Sequence, residues 1–384
     1  MIARHINKIL QKRLSSYPAV ALVGPRQSGK TTLAGSLDGK YFDLEQESDR
    51  LRLDLEWDSL IAGKALIILD EAQSWPEIFP RLRGAIDNNR KQFHRFLLLG
   101  SVSPALMTQV SESLAGRLSV IELTPLLLSE LDTRASRQRL WMVGGYPDGG
   151  VLEEPAYPVW QKDYLSLLIQ RDLPNWGLPA RSQVTQRLLK MLAATHGQEW
   201  NASQIGKSLG LSYHTVNGYL DYLEGAFLIR RLPPFHANIR KRLVKRAKVY
   251  WRDSGLLHAL FNIANQQELL NQPWVGASWE GFVIEQVIGA LTYTGCLFDA
   301  YYLRTSDQHE IDLVIQFGSA LWAIEVKLTT QPSPADMRKL NNIADLIGAD
   351  KRILVSQHNQ TIDNGSQMST NLDDFIRYIE KMAV

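Results

Sequence analysis

Gly24, Gly29, Lys30 and Thr31 stand in the spacing G-x-x-x-x-G-K-[ST], with Pro25, Arg26, Gln27 and Ser28 between the glycines. The two glycines let the backbone curl until successive N–H groups point inward at an anion. A helix starting near Lys30 adds the positive end of its dipole. The Lys30 ammonium then reaches β- and γ-phosphates as a point charge, and the Thr31 hydroxyl ligates Mg²⁺. Thr32 is counted with the loop. The expected ligands are ATP and Mg²⁺. The bland alternative is a chance glycine-rich turn. Against it, Ala19 to Val23 reads as a buried strand and Thr32 to Leu37 as the start of a helix, the context that a phosphate loop requires.

Downstream, four large apolar residues end in Asp70-Glu71, a pattern expected of a strand buried on both faces of a parallel sheet. Ligands bind beyond the carboxyl ends of such strands. Asp70 is therefore assigned to the Mg²⁺ shell and Glu71 to polarising the attacking water. Another apolar strand, Phe93 to Leu99, ends in Gly100-Ser101. Ser101 either holds that water and senses hydrolysis or caps a helix starting near Pro104. Arg117 precedes a last core strand, Leu118 to Leu123. It is expected to reach a neighbouring subunit's nucleotide, the alternatives being a surface position or a contact within its own chain.

A second set of chemical residues lies near the other end. Asp312 is followed 13 residues later by Glu325-x-Lys327, with Glu280 on a preceding helix. This arrangement resembles the metal-dependent restriction-endonuclease superfamily. Alternate strand residues share a face, so Glu325 and Lys327 point together, and Asp312 on the next strand can share a Mg²⁺ with Glu325. Lys327 would orient or deprotonate a water. A salt-bridged core, or a DNA-binding fold that does not cut, would contain the same residues.

Between the two sets, Gln186 to Thr195, Asn201 to Leu209 and Tyr213 to Glu224 read as three helices, with Gly210 in the turn, a helix-turn-helix pattern. Ser212, Tyr213, His214, Thr215 and Asn217 fall near the start of the recognition helix, and Phe227 to Leu232 would begin a wing. From Arg230 to Arg252 there are nine lysines and arginines and no acid, interleaved with Phe235, His236 and Tyr250. That block reads as a DNA-backbone surface, the alternative being a protein-docking module.

The elements that must position these residues follow from length and composition. With 384 residues the chain is expected to hold two to four domains. A formal net charge of +2 restricts any nucleic-acid surface to a local patch. Cys296 is the only cysteine, which excludes an internal disulfide and fits a reducing cytoplasm. No apolar run is long enough to span a membrane. Met1 to Leu14 reads as an amphipathic helix. Pro125 to about Ala180 reads as a helical lid, with Arg171 either a second sensing arginine or a plain helix-end cation. Asn359 to Ser369 reads as a polar loop.

The stretches Gly24 to Thr32, Leu69-Asp70-Glu71-Ala72-Gln73, Leu99-Gly100-Ser101, Leu114-Ala115-Gly116-Arg117, Leu123 to Leu126 and Gly144 to Pro147 resemble a family of bacterial and archaeal AAA-type ATPases. The resemblance covers nearly the whole chain and implies an α/β fold. Its parts are an additional-strand P-loop core over 1–125, a helical lid over 126–185, a winged helix over 186–253 and a restriction-endonuclease-like α/β domain over 254–384. It implies ATP binding and hydrolysis; taken with Arg117, the helix-turn-helix and the basic block, the chain reads as a Mg²⁺-dependent ATPase that assembles as a ring or partial ring and acts on DNA. Two other readings remain: a slow nucleotide switch that docks a protein partner, and an ATP-regulated nuclease.

Overall fold

The computed structural model describes residues 2–101, 114–153, 156–235, 246–305 and 309–382. The chain divides into two compact units, Met1–Leu126 with Asp221–Phe227, and Leu127–Leu220 with Leu228–Val384. The helix expected near Pro104 lies outside the described residues, as do His236, Arg240, Lys241, Arg242 and Lys245.

The first unit opens with helix α1 (Asn7–Leu14), shorter than the amphipathic pattern suggests. Strands β1 (Ala19–Val23), β2 (Gly39–Asp43), β3 (Leu66–Asp70), β4 (Phe96–Gly100) and β5 (Leu118–Glu122) form one sheet in the order β2-β3-β4-β1-β5. All four pairings are parallel. The three inner strands are apolar and wholly buried, as strands covered on both faces must be. Strand β4 begins three residues later than the apolar run suggests: Phe93 is exposed and His94 takes a left-handed φ of 58°. Helices α2 (Lys30–Ala34), α3 (Glu47–Ala62) and α4 (Ile78–Asn88) connect the strands. Helix α4 buries Ile78, Phe79, Leu82, Ala85 and Ile86, one face at helical spacing. Parallel pairing brings the ends of β1, β3 and β4 to one edge.

The second unit starts with helices α5 (Arg134–Val143) and α6 (Val159–Leu167), which continues through a π-helical turn, Leu168–Asp172. Helices α7 (Ser182–Ala194), α8 (Ala202–Leu209) and α9 (Tyr213–Gly225) follow, the end of α9 from Asp221 onward belonging to the first unit. Asn201 caps α8, accepting from the Gln204 N–H, and Gly210 ends it at a φ of 69°. Strands β6 (Gln198–Glu199), β7 (Ile229–Leu232) and β8 (Lys248–Trp251) form an antiparallel sheet in the order β6-β8-β7.

Helix α10 (Ser254–Leu260) packs on α5 and α6. Its cap, Asp253, accepts the N–H groups of Leu256 and Gly145 at 2.9 and 2.8 Å. A Cβ on Gly255 would stand 1.9 Å from the Val143 carbonyl oxygen, so only glycine lets α10 approach so closely. After the short α11 (Gln266–Leu270) comes α12 (Val275–Thr294), buried along most of its length.

The last sheet has six strands, β9 (Asp299–Arg304), β10 (Glu310–Phe317), β11 (Ala320–Val326), β12 (Lys351–Ser356), β13 (Ile362–Asp363) and β14 (Gln367–Asn371), in the order β13-β14-β12-β11-β10-β9. Its pairing is mixed: β11–β12 and β12–β14 are parallel and the others antiparallel. Helices α13 (Pro334–Ile347) and α14 (Leu372–Met382) pack against it. The loop expected over Asn359 to Ser369 is instead the β13–β14 hairpin. Its polar composition hides an alternation in which Met368 and Thr370 are buried and Thr370 is satisfied by hydrogen bonds to Thr361 and the Asn371 carbonyl.

Candidate functional site

In the first unit the loop from Gly24 to Thr31 leaves the end of β1. Gly24 has a φ of 155°, and a Cβ there would lie 2.1 Å from the Leu123 carbonyl oxygen. Gln27 and Gly29 also take positive φ, 60° and 94°. These angles curl the loop against its neighbour strand, and α2 starts at its end. Lys30 is buried, its ammonium donating to the carbonyls of Gly24 at 3.0 Å and Pro25 at 2.9 Å. Burial pulls its pKa down to about 8, against the opposing pull of Glu71 and Asp70. The Ser28 hydroxyl is fully buried without a hydrogen-bond partner. A buried orphan hydroxyl beside a buried lysine at a helix start is the donor set that a polyphosphate satisfies.

Asp70 closes β3 and gathers three donors. The hydroxyls of Thr31 and Tyr41 both donate to Oδ2 at 2.7 Å, and the Glu71 N–H donates to Oδ1 at 2.8 Å. A hydroxyl and a carboxylate oxygen in contact fit the shell of a hydrated Mg²⁺, with Thr31 as ligand and Asp70 ordering its waters. Glu71 stands in the left-handed region at φ 46°, ψ 46°. The Ser101 hydroxyl donates to its Oε1 at 2.7 Å, and the Gln73 amide donates to Oε2. Burial raises the Glu71 pKa, with Ser101 and Lys30 acting the other way. The structure therefore brings together Lys30, Thr31, Asp70, Glu71 and Ser101. It places Pro25 and Ser28 in the same loop, with Arg26 paired to Glu45 at 3.7 Å and Thr32 in the first turn of α2.

Arg117 is placed differently. Its guanidinium makes a two-pronged pair with Asp87 of its own chain, 2.9 Å from Oδ1 and 2.8 Å to Oδ2. Hydrogen bonds from Arg117 and Arg90 lower the Asp87 pKa to about 2. Arg171, in the second unit, donates to Asp172 at 2.9 Å.

Two residues of this site, Tyr41 and Arg4, carry no mark in the sequence, and a third, Gln73, falls in a motif stretch without a role assigned to it. Tyr41 lies on a mostly exposed edge strand, and only the β2–β3 pairing shows that its hydroxyl reaches Asp70. Gln73 sits two positions past Glu71, and only the sharp turn at Glu71 brings them together. Arg4 donates to the carbonyls of Ser28 and Thr124, both at 2.7 Å, and so ties the loop to the end of β5.

The second unit gathers a separate acidic cluster. Glu280 of α12 and Glu310 and Asp312 of β10 each place a carboxylate oxygen within 4.8 Å of the other two. Glu325 lies next to the Leu313–Ile324 pair on β11; its Oε1 takes the Lys327 ammonium at 2.6 Å. Burial, then Glu280 and Glu325, raise the Asp312 pKa well above the usual carboxylate range. Lys248 reaches into this cluster, donating to Glu280 at 3.0 Å and pairing with Glu310. Burial opposes its charge, but Glu280, Tyr250, Asp312 and Glu310 outweigh that and hold the ammonium protonated.

Lys248 also changes the meaning of the basic block. Arg230 and Arg252 both bind the buried Glu285, at 3.0 Å from Arg230 Nη2 and 3.0 Å from Arg252 Nε. Three of the nine cations therefore neutralise acids of α12 inside the unit. On the helix expected to recognise DNA, Tyr213 and His214 are exposed, while Asn217 accepts from the Trp200 indole at 2.8 Å.

Comparison with known proteins narrows the identity. The uncharacterised protein Rv2008c of Mycobacterium tuberculosis is 39% identical over 332 residues, 84% of this chain and 73% of that one, and the Mycobacterium bovis protein Mb2031c matches equally. The chain belongs to this family. An uncharacterised Haemophilus influenzae protein is 23% identical over 317 residues, 76% of this chain and 72% of that one. Within the family frame, an AAA domain matches residues 16–132, and two domains of unknown function, DUF8612 and DUF4143, match 134–267 and 275–374. The chain is thus of P-loop AAA type, with a parallel-sheet core and a separate mixed-sheet C-terminal part. Among solved structures, Thermotoga maritima RuvB aligns at 17% identity over 60% of this chain and 90% of its own, with a TM-score of 0.29. Aquifex aeolicus DnaA aligns at 11% over 57% and 85%, with a TM-score of 0.27. At those scores neither likeness bears weight. Among the described residues no helix is long and apolar enough to cross a membrane.

Proposed function

We propose that the chain binds and hydrolyses ATP with Mg²⁺. The observation that carries this reading is the joined pair Thr31–Asp70 and Ser101–Glu71 around one buried lysine. Mg²⁺, held by Thr31 and by water ordered on Asp70, would neutralise charge on the β- and γ-phosphates. Lys30 would leave its two backbone carbonyls for the phosphate oxygens. Glu71 would accept the proton of the attacking water, with Ser101 fixing the carboxylate's direction. The glycine geometry of the loop supports close backbone approach to the phosphates.

The finer reading is a ring-forming ATPase that engages DNA through a winged helix formed by α7 to α9 and the β6–β8 sheet. In the ring, Arg117 would exchange Asp87 for a neighbouring subunit's nucleotide, and the proposed place of work is the cytoplasm. The test is ATP turnover with and without duplex, single-stranded and four-way-junction DNA, with Glu71→Gln as blank. Strong stimulation by one DNA form supports the motor, and the blank should lose about a hundredfold or more. Flat, slow turnover with every DNA removes it.

A second reading, a slow nucleotide switch that docks a protein, gains from two observations. Both Glu71 oxygens are engaged, and three cations of the basic block serve internal acids. It expects a partner captured with ATP and not with ADP. The nuclease reading requires Glu280, Asp312 and Glu325 to hold Mg²⁺ beside Lys327 on a restriction-endonuclease-like fold. The unpartnered Glu325 Oε2 favours it and Lys248 opposes it. Its test is DNA cleavage that disappears in Asp312→Asn.

A further inference from the structure

Three acids converge in the second unit with a fourth, Glu325, on the strand beside β10, and the fold has already supplied a cation for them. Glu280, Glu310 and Asp312 have oxygens within 4.8 Å of each other. Glu325 is 5% exposed, and its Oε2 is buried without a hydrogen-bond partner. Like charges at such distances, away from water, require a counter-charge. Lys248, the first residue of β8 and 3% exposed, provides it by pairing with Glu280 and Glu310 at once. Tyr250, two residues along the same strand, donates to the same Glu280 oxygen as Lys248. Tyr250 thus fixes the Glu280 oxygen with which Lys248 pairs.

Glu280, Glu310, Asp312 and Glu325 face Lys248 and Lys327, with Arg304 a further 3.7 Å from Glu310. Carboxylates on a helix and two strands, all oxygen donors, are the set that a hard divalent cation takes. We propose that Lys248 is the resident cation of a latent divalent-metal site formed by Glu280, Glu310, Asp312 and Glu325, and that its ammonium and a metal ion compete for that site.

In the lysine-filled state the acids are neutralised without a metal. A divalent ion enters only when the ammonium withdraws. The Lys327 ammonium, on the other side of Glu325, remains beside the site in both states. This deepens the nuclease reading by naming what controls its metal, but its test does not depend on cleavage.

The experiment uses the full, nucleotide-free chain in an Asp70→Asn background, which silences the phosphate-loop site, with Mn²⁺ as probe. Lys248→Met should lower the melting temperature in chelator, recover it with Mn²⁺, and bind one Mn²⁺ about tenfold or more tighter than the chain that keeps Lys248. A lysine with a purely structural role gives the same loss with no recovery, which overturns the proposal. Should the single variant not fold, Lys248→Met with Glu310→Gln removes the ion pair together. It should still bind Mn²⁺ through Glu280, Asp312 and Glu325. Equal Mn²⁺ affinity with and without Lys248 overturns the proposal, as does Mg²⁺-dependent cleavage by the unaltered chain that Asp312→Asn abolishes. A Lys248→Met chain that binds Mn²⁺ yet cuts no DNA upholds it and removes the nuclease reading alone.

Discussion

The hydroxyls of Thr31 and Tyr41 end on the same oxygen, Oδ2 of Asp70, each at 2.7 Å. One comes from the phosphate loop and the other from the neighbouring strand, so the carboxylate is gripped from two sides. When Thr31 turns its oxygen to a metal, Tyr41 still holds Asp70 in place. Tyr41→Phe should therefore lower ATP turnover roughly tenfold, the worth of one hydrogen bond to a charged group. ATP affinity should change little, while the Mg²⁺ concentration for half-maximal rate rises. Steady-state rates over a Mg²⁺ series check this; unchanged Mg²⁺ dependence would count against it.

Gln73 occupies one Glu71 oxygen while Ser101 occupies the other. A carboxylate with both oxygens taken is a poor proton acceptor until one donor leaves. Gln73→Ala is expected to raise basal turnover by about threefold or more. Ser101→Ala is expected to lower it, because Ser101 aims the group. Single-turnover rates with saturating ATP separate these effects from binding.

The lysine of the loop predicts a pH effect with a definite sign. In the free protein burial pulls Lys30 down to about 8 from the usual 10.5. Phosphate requires the charged form. Below pH 8 the ammonium is already present, and ATP affinity should not vary through this group. Above pH 8 the free protein has lost that proton and must take it up again on binding, so affinity falls, at most about tenfold per pH unit. Calorimetry in buffers of different ionisation enthalpy should show proton uptake above pH 8 and none below.

Arg230 and Arg252 serve Glu285, not solvent. Arg252→Ala leaves a buried carboxylate with one partner and should destabilise the second unit by about 3 kcal/mol. A DNA affinity measured on the folded remainder should keep its salt dependence. Any phosphate contact of the basic block would then rest on the remaining cations, among them Arg240, Lys241, Arg242 and Lys245. Replacing those four should reduce the salt slope by about one per charge removed. Thermal unfolding and salt titrations tell the two groups apart.

Arg117 and Asp87 set a test of assembly. If Arg117 serves a neighbour's nucleotide, Arg117→Ala and Glu71→Gln chains are each inactive, yet mixing them restores turnover where the first binds beside the second. A role within its own chain gives no restoration. Asp87→Ala, which frees the guanidinium, should not lower activity.

The apolar runs of β1, β3 and β4 announced the parallel core, because strands covered on both faces have no polar side to disguise them. The loop and the Asp70-Glu71 pair were legible for the same reason that they are close: ligands gather beyond strand ends. Direction was not legible. Nothing in the string Arg230 to Arg252 says that Arg230, Lys248 and Arg252 turn inward, since their acidic partners lie tens of residues away on α12 and β10. Tyr41 was hidden because a strand's neighbours are a tertiary fact. The β14 strand was hidden because its buried Thr370 is polar and satisfied by local hydrogen bonds.

Arg4 has a practical consequence for anyone cutting this protein into pieces. The AAA match begins at residue 16, but the guanidinium that buckles the Ser28 carbonyl to that of Thr124 sits twelve residues earlier. A fragment trimmed to the matched boundary would keep every motif and lose the clasp that holds them shut. Its weak nucleotide binding would be a fault of the scissors.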